Sequence, residues 1–188
     1  MKNEPNQDEK VVAKGRIFEL VQLPQPDGRV FEVARRAPGV RVIIFDEATR
    51  RVLLSREYRR EIDGYDYRLP GGKVFDTLDE FEALRNSGED MHQAAEAKAR
   101  EEVAEEVGLH VRDLRLHTIS TLGTTVEWDL YVFETTSWSE ADGQKLGAGE
   151  DISAGWYGLD DVRTKIMNGD MQEERIALIL LRWIDHRS

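Results

Sequence analysis

The stretch Glu101–Leu109 reads EEVAEEVGL and says most about the fold of this chain. Residues three and four positions apart share one face of an α-helix, so Glu102 would lie beside both Glu105 and Glu106. Like charges at that spacing destabilise an isolated helix. A hard divalent cation would reverse the effect, and magnesium binds through one or two carboxylates together with substrate phosphates. A solvated acidic surface helix is the alternative for such a string taken alone.

The helix that carries these acids is predicted to span Met91–Val107. Apolar or small residues recur there at every fourth position among charged ones, and Gly108 follows as a C-terminal stop. Upstream, Leu69–Lys73 reads LPGGK. Its two glycines would let the backbone come close to a ligand or to the helix.

Taken together, LPGGK, Gly88-Glu89, the helix and EEVAEEVGL resemble the Nudix box of the Nudix hydrolase superfamily. The resemblance implies an α/β (α+β) fold, an α/β/α sandwich with a mixed sheet. It also implies Mg²⁺-dependent hydrolysis of the pyrophosphate bond of a nucleoside diphosphate linked to another moiety, with Mn²⁺ as a substitute ion. The implied metal ligands are the carboxylates of Glu102, Glu105 and Glu106 and the backbone carbonyl of Gly71.

Two features depart from the family's box. The stretch between Gly72 and Glu89 is longer than usual, which predicts an inserted loop or short helix over residues 74–88. The family's arginine falls on Glu101, while Arg100 stands one place early. Lys98, four residues before Glu102, lies on the same helical face and is the better geometric substitute. The residues predicted to support the box are Glu89, Lys98 and Arg100.

Sequences outside the box indicate a branch of the family. Arg56–Arg59 reads REYR and is similar to the Gln-Tyr-Arg run of ADP-ribose pyrophosphatases, and the N-terminal strands resemble their dimerising subdomain. After the box, that branch often has Ser-Pro-Gly and then a loop glutamate. Residues 121–127, TLGTTVE, keep the glycine and the glutamate but lose the proline. ADP-ribose-like substrates are therefore expected, with nucleotide sugars such as GDP-mannose left open.

The general base is predicted to be Glu127, because metal ligation occupies the box carboxylates and a loop acid could accept the proton of the attacking water. Glu105 and the acids of the 74–88 insertion are the rival bases, and a solvent-facing strand glutamate is the alternative for Glu127. Substrate binding is assigned to Arg36 and Arg59, whose guanidinium groups suit phosphates, and to Gly72 and Gly123. Three aromatic residues are candidates for base stacking or for core packing: Tyr58, Tyr67 and Trp128.

A chain of 188 residues with 40% hydrophobic content can bury one good core. We expect a disordered tail over 1–10 and a single domain over 11–188, divided into an N-terminal antiparallel strand pair (11–36) and a catalytic core (37–188). The strand pair would leave apolar side chains on both faces, so a homodimer is expected.

Composition narrows the partners further. Cysteine is absent, which excludes disulfides and thiolate chemistry. With 26 Lys+Arg against 37 Asp+Glu, the formal charge of −11 disfavours nucleic acids and anionic membranes. No signal peptide or membrane span is evident, so a cytoplasmic protein is expected. Two other functions remain open: a non-catalytic nucleotide-conjugate sensor and a nucleoside triphosphate pyrophosphohydrolase.

Overall fold

The computed structural model describes residues 9–147 and 151–187. These ranges contain twelve strands and four helices. The strands are β1 Lys10–Lys14, β2 Phe18–Pro24, β3 Val30–Arg36, β4 Gly39–Asp46, β5 Arg51–Arg59, β6 Gly64–Arg68, β7 Leu109–Val111, β8 Arg115–Ser120, β9 Val126–Glu127, β10 Leu130–Thr135, β11 Trp138–Glu140 and β12 Ile152–Gly158. The helices are α1 Leu78–Ser87, α2 Met91–Val107, α3 Leu159–Met167 and α4 Glu174–Asp185.

The central sheet is mixed and has the order β12-β5-β4-β10-β8, with β6 also paired to β5. β4 and β10 run parallel, and the other pairs in this sheet are antiparallel. β4 pairs with β5 only at Phe45-Asp46. Towards its start, β4 bonds instead to the segment after β6: the Val42 N–H donates to the Pro70 carbonyl, and the Val40 N–H donates to the Gly72 carbonyl. β4 and β5 therefore separate and leave a cleft at this end of the sheet.

Helices cover both faces of this sheet. Side chains alternate along β4, so that Val42 and Ile44 pack towards α2 while Ile43 and Phe45 pack towards α4. The strand is buried along nearly its whole length, as expected for the middle of a three-layer protein. The predicted α/β/α sandwich with a mixed sheet is confirmed.

The N-terminal strands form a second sheet with the order β1-β2-β3-β9. The predicted pair corresponds to β2 and β3, which join in one register from Phe18–Arg36 to Pro24–Val30. Two further strands join this pair: β1, which begins at Lys10 inside the expected tail, and β9, whose parallel pairing with β3 was not predicted. Residues 1–8 lie outside the described residues.

The insertion before the acidic helix contains a short helix, as predicted. Thr77 caps the N terminus of α1, and Glu80 completes a reciprocal capping box with it. Leu78 and Phe81 bury this helix against the domain. Among the described residues, no helix is long and apolar enough to cross a bilayer.

Candidate active site

The acidic segment occupies the last turns of α2, and packing fixes the rotation of that helix. Three small side chains on one face are fully buried against the sheet: Ala95, Ala99 and Val103. Asp90 caps the N terminus, and Gly108 ends the helix in a left-handed conformation with φ of 66°. Both predicted ends of the helix are confirmed. With the helix fixed in this way, Glu102 and Glu106 reach the turn that follows β6.

The turn at Gly71-Gly72 lies directly against these two carboxylates. Gly71 has φ of 138°, and a β-carbon there would lie 2.3 Å from the carbonyl oxygen of Val40. A β-carbon on Gly72 would lie 2.6 to 2.8 Å from the carboxyl atoms of Glu102. The Gly71 backbone N–H also donates a 2.8 Å hydrogen bond to Glu106 Oε2. Glycine at position 71 therefore lets the turn lie against β4, and glycine at position 72 lets it lie against α2.

Burial makes the charged forms of both carboxylates costly. It raises the pKa of Glu106 to about 7, against the opposing effects of the Gly71 N–H and the Arg41 charge. Burial also raises the pKa of Glu102, although the Lys98 charge opposes it. An acid with a raised pKa is one whose ionised form lacks solvation. A cation bound between these carboxylates would supply what burial removes.

Lys98 lies beside Glu102, as the helical spacing suggested. Its Nζ is 3.2 Å from Glu102 Oε1 and 2.9 Å from Glu101 Oε2. Arg100 points elsewhere: it pairs with Glu96 at 2.7 Å and donates to two backbone carbonyl groups in and after β7. Arg100 thus ties α2 to β7 instead of approaching the carboxylates.

The carboxylates open into a cavity of about 850 Å³ at the cleft between β4 and β5. Its cationic lining consists of Arg36, Arg41, Arg59, Arg68 and Lys73. Its other acidic lining consists of Glu57, Glu61, Asp66, Asp76 and Glu173. This volume lies in the usual range for a small-molecule site. Such a mixture of charges suits a polyanion that binds together with a cation.

Half of the residues predicted for the site line this cavity: Arg36, Arg59, Gly71, Gly72, Glu102 and Glu106. The other half do not: Glu89, Lys98, Arg100, Glu105, Gly123 and Glu127. Gly123 and Glu89 are exposed, and Glu105 is half-buried on α2. Within residues 9–147 and 151–187, no three acidic or histidine side chains converge closely enough to hold a metal ion.

Glu127 differs most from its prediction as a free loop acid. It lies in β9, beside Arg35 on the parallel strand β3, and its Oε2 accepts a 2.8 Å hydrogen bond from Arg35 Nε. Arg35 also binds Glu9 and Glu19, so Glu127 belongs to a partly buried ion network. The loop placement was wrong because the segment after Gly123 pairs with the N-terminal sheet.

The aromatic candidates are all engaged by protein groups. Trp128 lines the cavity, but the guanidinium groups of Arg36 and Arg175 lie over its ring. Tyr58 packs edge-on against Tyr65, and Tyr67 packs in the same way against Tyr157. All three predicted rings therefore contact protein groups, and Tyr58 is the one that is 37% exposed.

Several cavity residues were missed from the sequence. Ser55 and Glu57 lie on the same face of β5 as the predicted Arg59, so one face of the strand supplies all three to the cleft. The polar alternation in Ser55–Arg59 was the available signal. Arg41 interrupts an otherwise apolar strand, and its side chain is 8% exposed and 3.5 Å from Glu173 Oε2. A single charge inside a buried strand signals a polar site, because buried arginine is rare unless paired.

The chain was compared with known proteins. A family model described as NUDIX domain matches residues 35–178. A solved structure titled "Crystal structure of ADP compounds hydrolase" is similar with a TM-score of 0.67 and 21% sequence identity, covering 97% of this chain and 94% of that chain. At this identity the likeness concerns the fold. No curated protein is similar enough to this chain to count as a match.

Proposed function

Because this chain belongs to the Nudix family of pyrophosphohydrolases, we propose that it uses a divalent cation to hydrolyse the diphosphate of an ADP-ribose-like conjugate. The scissile bond would join two phosphates, one of which carries a nucleoside and the other a sugar or related group. The match over residues 35–178 includes both LPGGK and the acidic segment. The family follows from this match, whereas the divalent metal and the ADP-ribose-like substrate are proposed.

The observation that carries the proposal is the contact between the two buried carboxylates and the glycine turn. Glu102 and Glu106 face an open cavity, yet burial raises the pKa of both. Such a site is unfavourable without a ligand. Cationic side chains elsewhere in the same cavity fit the negative charge of a diphosphate.

The donor set fits magnesium. Carboxylate and carbonyl oxygens are the ligands that this ion prefers, and it keeps several positions for water and phosphate. Glu102 and Glu106 would hold it, with Glu105 and the carbonyl of Gly71 as the further ligands proposed. When bound, the ion neutralises the diphosphate and eases formation of hydroxide from water. Lys98 would give up its ion pair with Glu102 and keep its pair with Glu101.

The chain's own residues would orient the substrate and move the proton. Arg59 reaches the cavity from β5 and Arg36 from the end of β3, so guanidinium groups approach the substrate from two strands. Glu127 remains the proposed general base, and it would have to leave Arg35 to act. Glu105, the rival, requires no such break. Glu57, which lines the cavity beside Arg59, is a third carboxylate to be tested.

We also propose that the protein is a homodimer in which the N-terminal sheet contributes to the interface. Among the described residues of this sheet, large apolar side chains are 40 to 50% exposed: Val11, Val12, Phe18, Val30 and Phe31. Among the described residues, β1 pairs only with β2, so it forms an edge of this sheet. Packing of this sheet against a second copy would cover both the exposed apolar side chains and the unpaired strand edge.

A panel of substrates tests the function. Release of nucleoside monophosphate would be measured from ADP-ribose, GDP-mannose, a dinucleoside polyphosphate and a nucleoside triphosphate, each with and without Mg²⁺. The proposal expects Mg²⁺-dependent AMP release from ADP-ribose at a higher kcat/KM than any release from triphosphates. A higher kcat/KM for the triphosphate would instead identify the protein as a nucleoside triphosphate pyrophosphohydrolase. Binding of ADP-ribose without turnover of any member of the panel would instead favour a sensor.

A further inference from the structure

A cluster of nitrogen donors borders the cavity apart from the acidic turn. It consists of Arg36, Trp128 and Arg175. The guanidinium carbon of Arg36 lies 4.3 Å from the centroid of the Trp128 ring, and that of Arg175 lies 4.2 Å from the same centroid. Burial lowers the pKa of Arg36, and the charges of Arg175 and Arg41 lower it further. Two cations held this close concentrate positive potential around the indole.

Several N–H groups in this cluster are buried and have no hydrogen-bond partner within the described part of the chain. They are Nε of Arg36, Nε1 of Trp128, and Nε and Nη2 of Arg175. Buried donors are almost always satisfied in folded proteins, because an unmade hydrogen bond is costly. The unsatisfied donors of Arg36 and Trp128 therefore indicate an acceptor supplied by a ligand.

Within this cluster, the acidic groups nearby pair only with Arg175. Glu173 lies 3.7 Å from Arg175 Nη2, but its other oxygen lies 3.5 Å from Arg41, so two arginines share one carboxylate. Burial raises the pKa of Asp129, and the charge of Arg175 opposes this effect. Among the described residues, Arg36 forms no ion pair. The chemistry that fits the cluster is an oxyanion with several acceptor atoms.

The indole N–H of Trp128 lies close to the acidic turn. A β-carbon built on Gly39 would lie 3.5 Å from Trp128 Nε1 and 3.3 Å from the carbonyl oxygen of Gly72. Gly72 in turn contacts the Glu102 carboxyl group. One substrate can therefore reach both the carboxylates and the donor cluster.

We propose that Arg36, Trp128 and Arg175 form an anion-binding subsite that takes a phosphate group of the substrate. The inference rests on the proposed function for the identity of that substrate. Trp128 and Arg36 donate to the phosphate. Arg175 positions the indole, since its Nη1 donates a 3.0 Å hydrogen bond to the Trp128 carbonyl oxygen while its guanidinium covers the ring. The phosphate belongs either to the scissile diphosphate or to the group that leaves with the second phosphate.

Inorganic phosphate and metal-free protein test the subsite without turnover. The indole N–H resonance of Trp128 is followed by ¹H–¹⁵N NMR and is assigned by its loss in Trp128→Phe. We expect this resonance to shift on titration with phosphate, and Arg175→Gln to weaken the apparent Kd about fivefold or more. Arg182→Gln, an exposed change on the same helix, should titrate like the wild type.

An indole resonance that stays in place while phosphate is added to the wild type would overturn the subsite, whatever the fold of the variants. So would an Arg175→Gln protein that is folded and binds like the wild type. Arg175→Lys keeps the charge and should recover part of the affinity. The phosphate titration does not depend on hydrolysis, so it tests the subsite even if the protein does not hydrolyse ADP-ribose.

Steady-state kinetics then identifies which phosphate is bound. If the subsite takes the scissile diphosphate, Trp128→Phe raises KM for ADP-ribose about tenfold with a smaller change in kcat. If it takes an additional phosphate, KM rises only for ADP-ribose that carries a further phosphate on its terminal sugar. Unchanged KM values for both substrates would contradict the proposal.

Discussion

The carboxylate of Glu106 accepts a 2.8 Å hydrogen bond from the backbone N–H of Gly71. This bond ties the last turn of α2 to the turn after β6, and so couples the acidic helix to the wall of the cavity. It also holds a carboxylate in a place where burial raises its pKa to about 7. The same geometry that suits a bound cation therefore costs stability when the cation is absent.

Replacement of Glu106 by glutamine should stabilise the metal-free protein at pH 8. The pKa of Glu106 rises from 4.5 to about 7 on folding, so the unfolded chain ionises first and stability falls as pH rises through this window. Above this pH window, the free energy of unfolding is lower by at most about 3 kcal/mol. Glu106→Gln should recover about 1–3 kcal/mol at pH 8 and little at pH 4 in thermal unfolding with EDTA. Glu101→Gln is the exposed control, and an equal effect of both variants would contradict the account.

The two glycine positions can be separated from ordinary turn glycines by substitution with alanine. Gly71→Ala places a β-carbon 2.3 Å from the Val40 carbonyl oxygen, whereas at Gly88, also at positive φ, nothing lies within 4 Å. Gly88→Ala should cost about 1 kcal/mol from backbone strain alone. Gly71→Ala should cost at least about 3 kcal/mol, because the turn must also move away from β4. Equal decreases in the free energy of unfolding by urea for the two variants would contradict this prediction, because they would show that the turn can move away from β4 at little cost.

The sequence predicted those features of the structure that depend on residues close together in the chain. The bounds of α2 follow from its four-residue repeat, Asp90 and Gly108, which act locally. Glu102 and Glu106 could be identified because their spacing fixes their shared face. The pairing of Glu127 with Arg35 could not, since it depends on the parallel contact between β9 and β3, far apart in sequence. For the same reason the cluster of Arg36, Trp128 and Arg175 was not predicted.

The role of Glu127 as a base can be tested against Glu9. Both carboxylates bind Arg35, so Glu127→Gln and Glu9→Gln each remove one contact from the same ion network. A general base contributes about 10² to 10⁴ in rate. We expect Glu127→Gln to lower kcat within that range and Glu9→Gln to lower it less than about threefold. Similar kcat values for the two variants would move the base to Glu105, to an acid of the insertion such as Asp76, or to Glu57.

The oligomeric state tests the role of the N-terminal sheet. Light scattering should give twice the chain mass of 21.6 kDa. Val30 and Phe31 are 50% and 48% exposed on β3, so Phe31→Glu should shift the mass towards that of one chain. Leu178→Glu, at an equally exposed apolar position on α4, should leave the dimer intact. A wild type that remains one chain at every concentration would contradict the proposed dimer.

The central claim is that Glu102 and Glu106 hold a divalent cation for diphosphate hydrolysis. Its most direct test is AMP release from ADP-ribose by the wild type and Glu106→Gln, in EDTA and after Mg²⁺ is restored. We predict no release by the wild type in EDTA, full recovery with Mg²⁺, and a kcat for folded Glu106→Gln lower by about 10² or more. Full hydrolysis in EDTA, or wild-type kcat in Glu106→Gln, would contradict the claim.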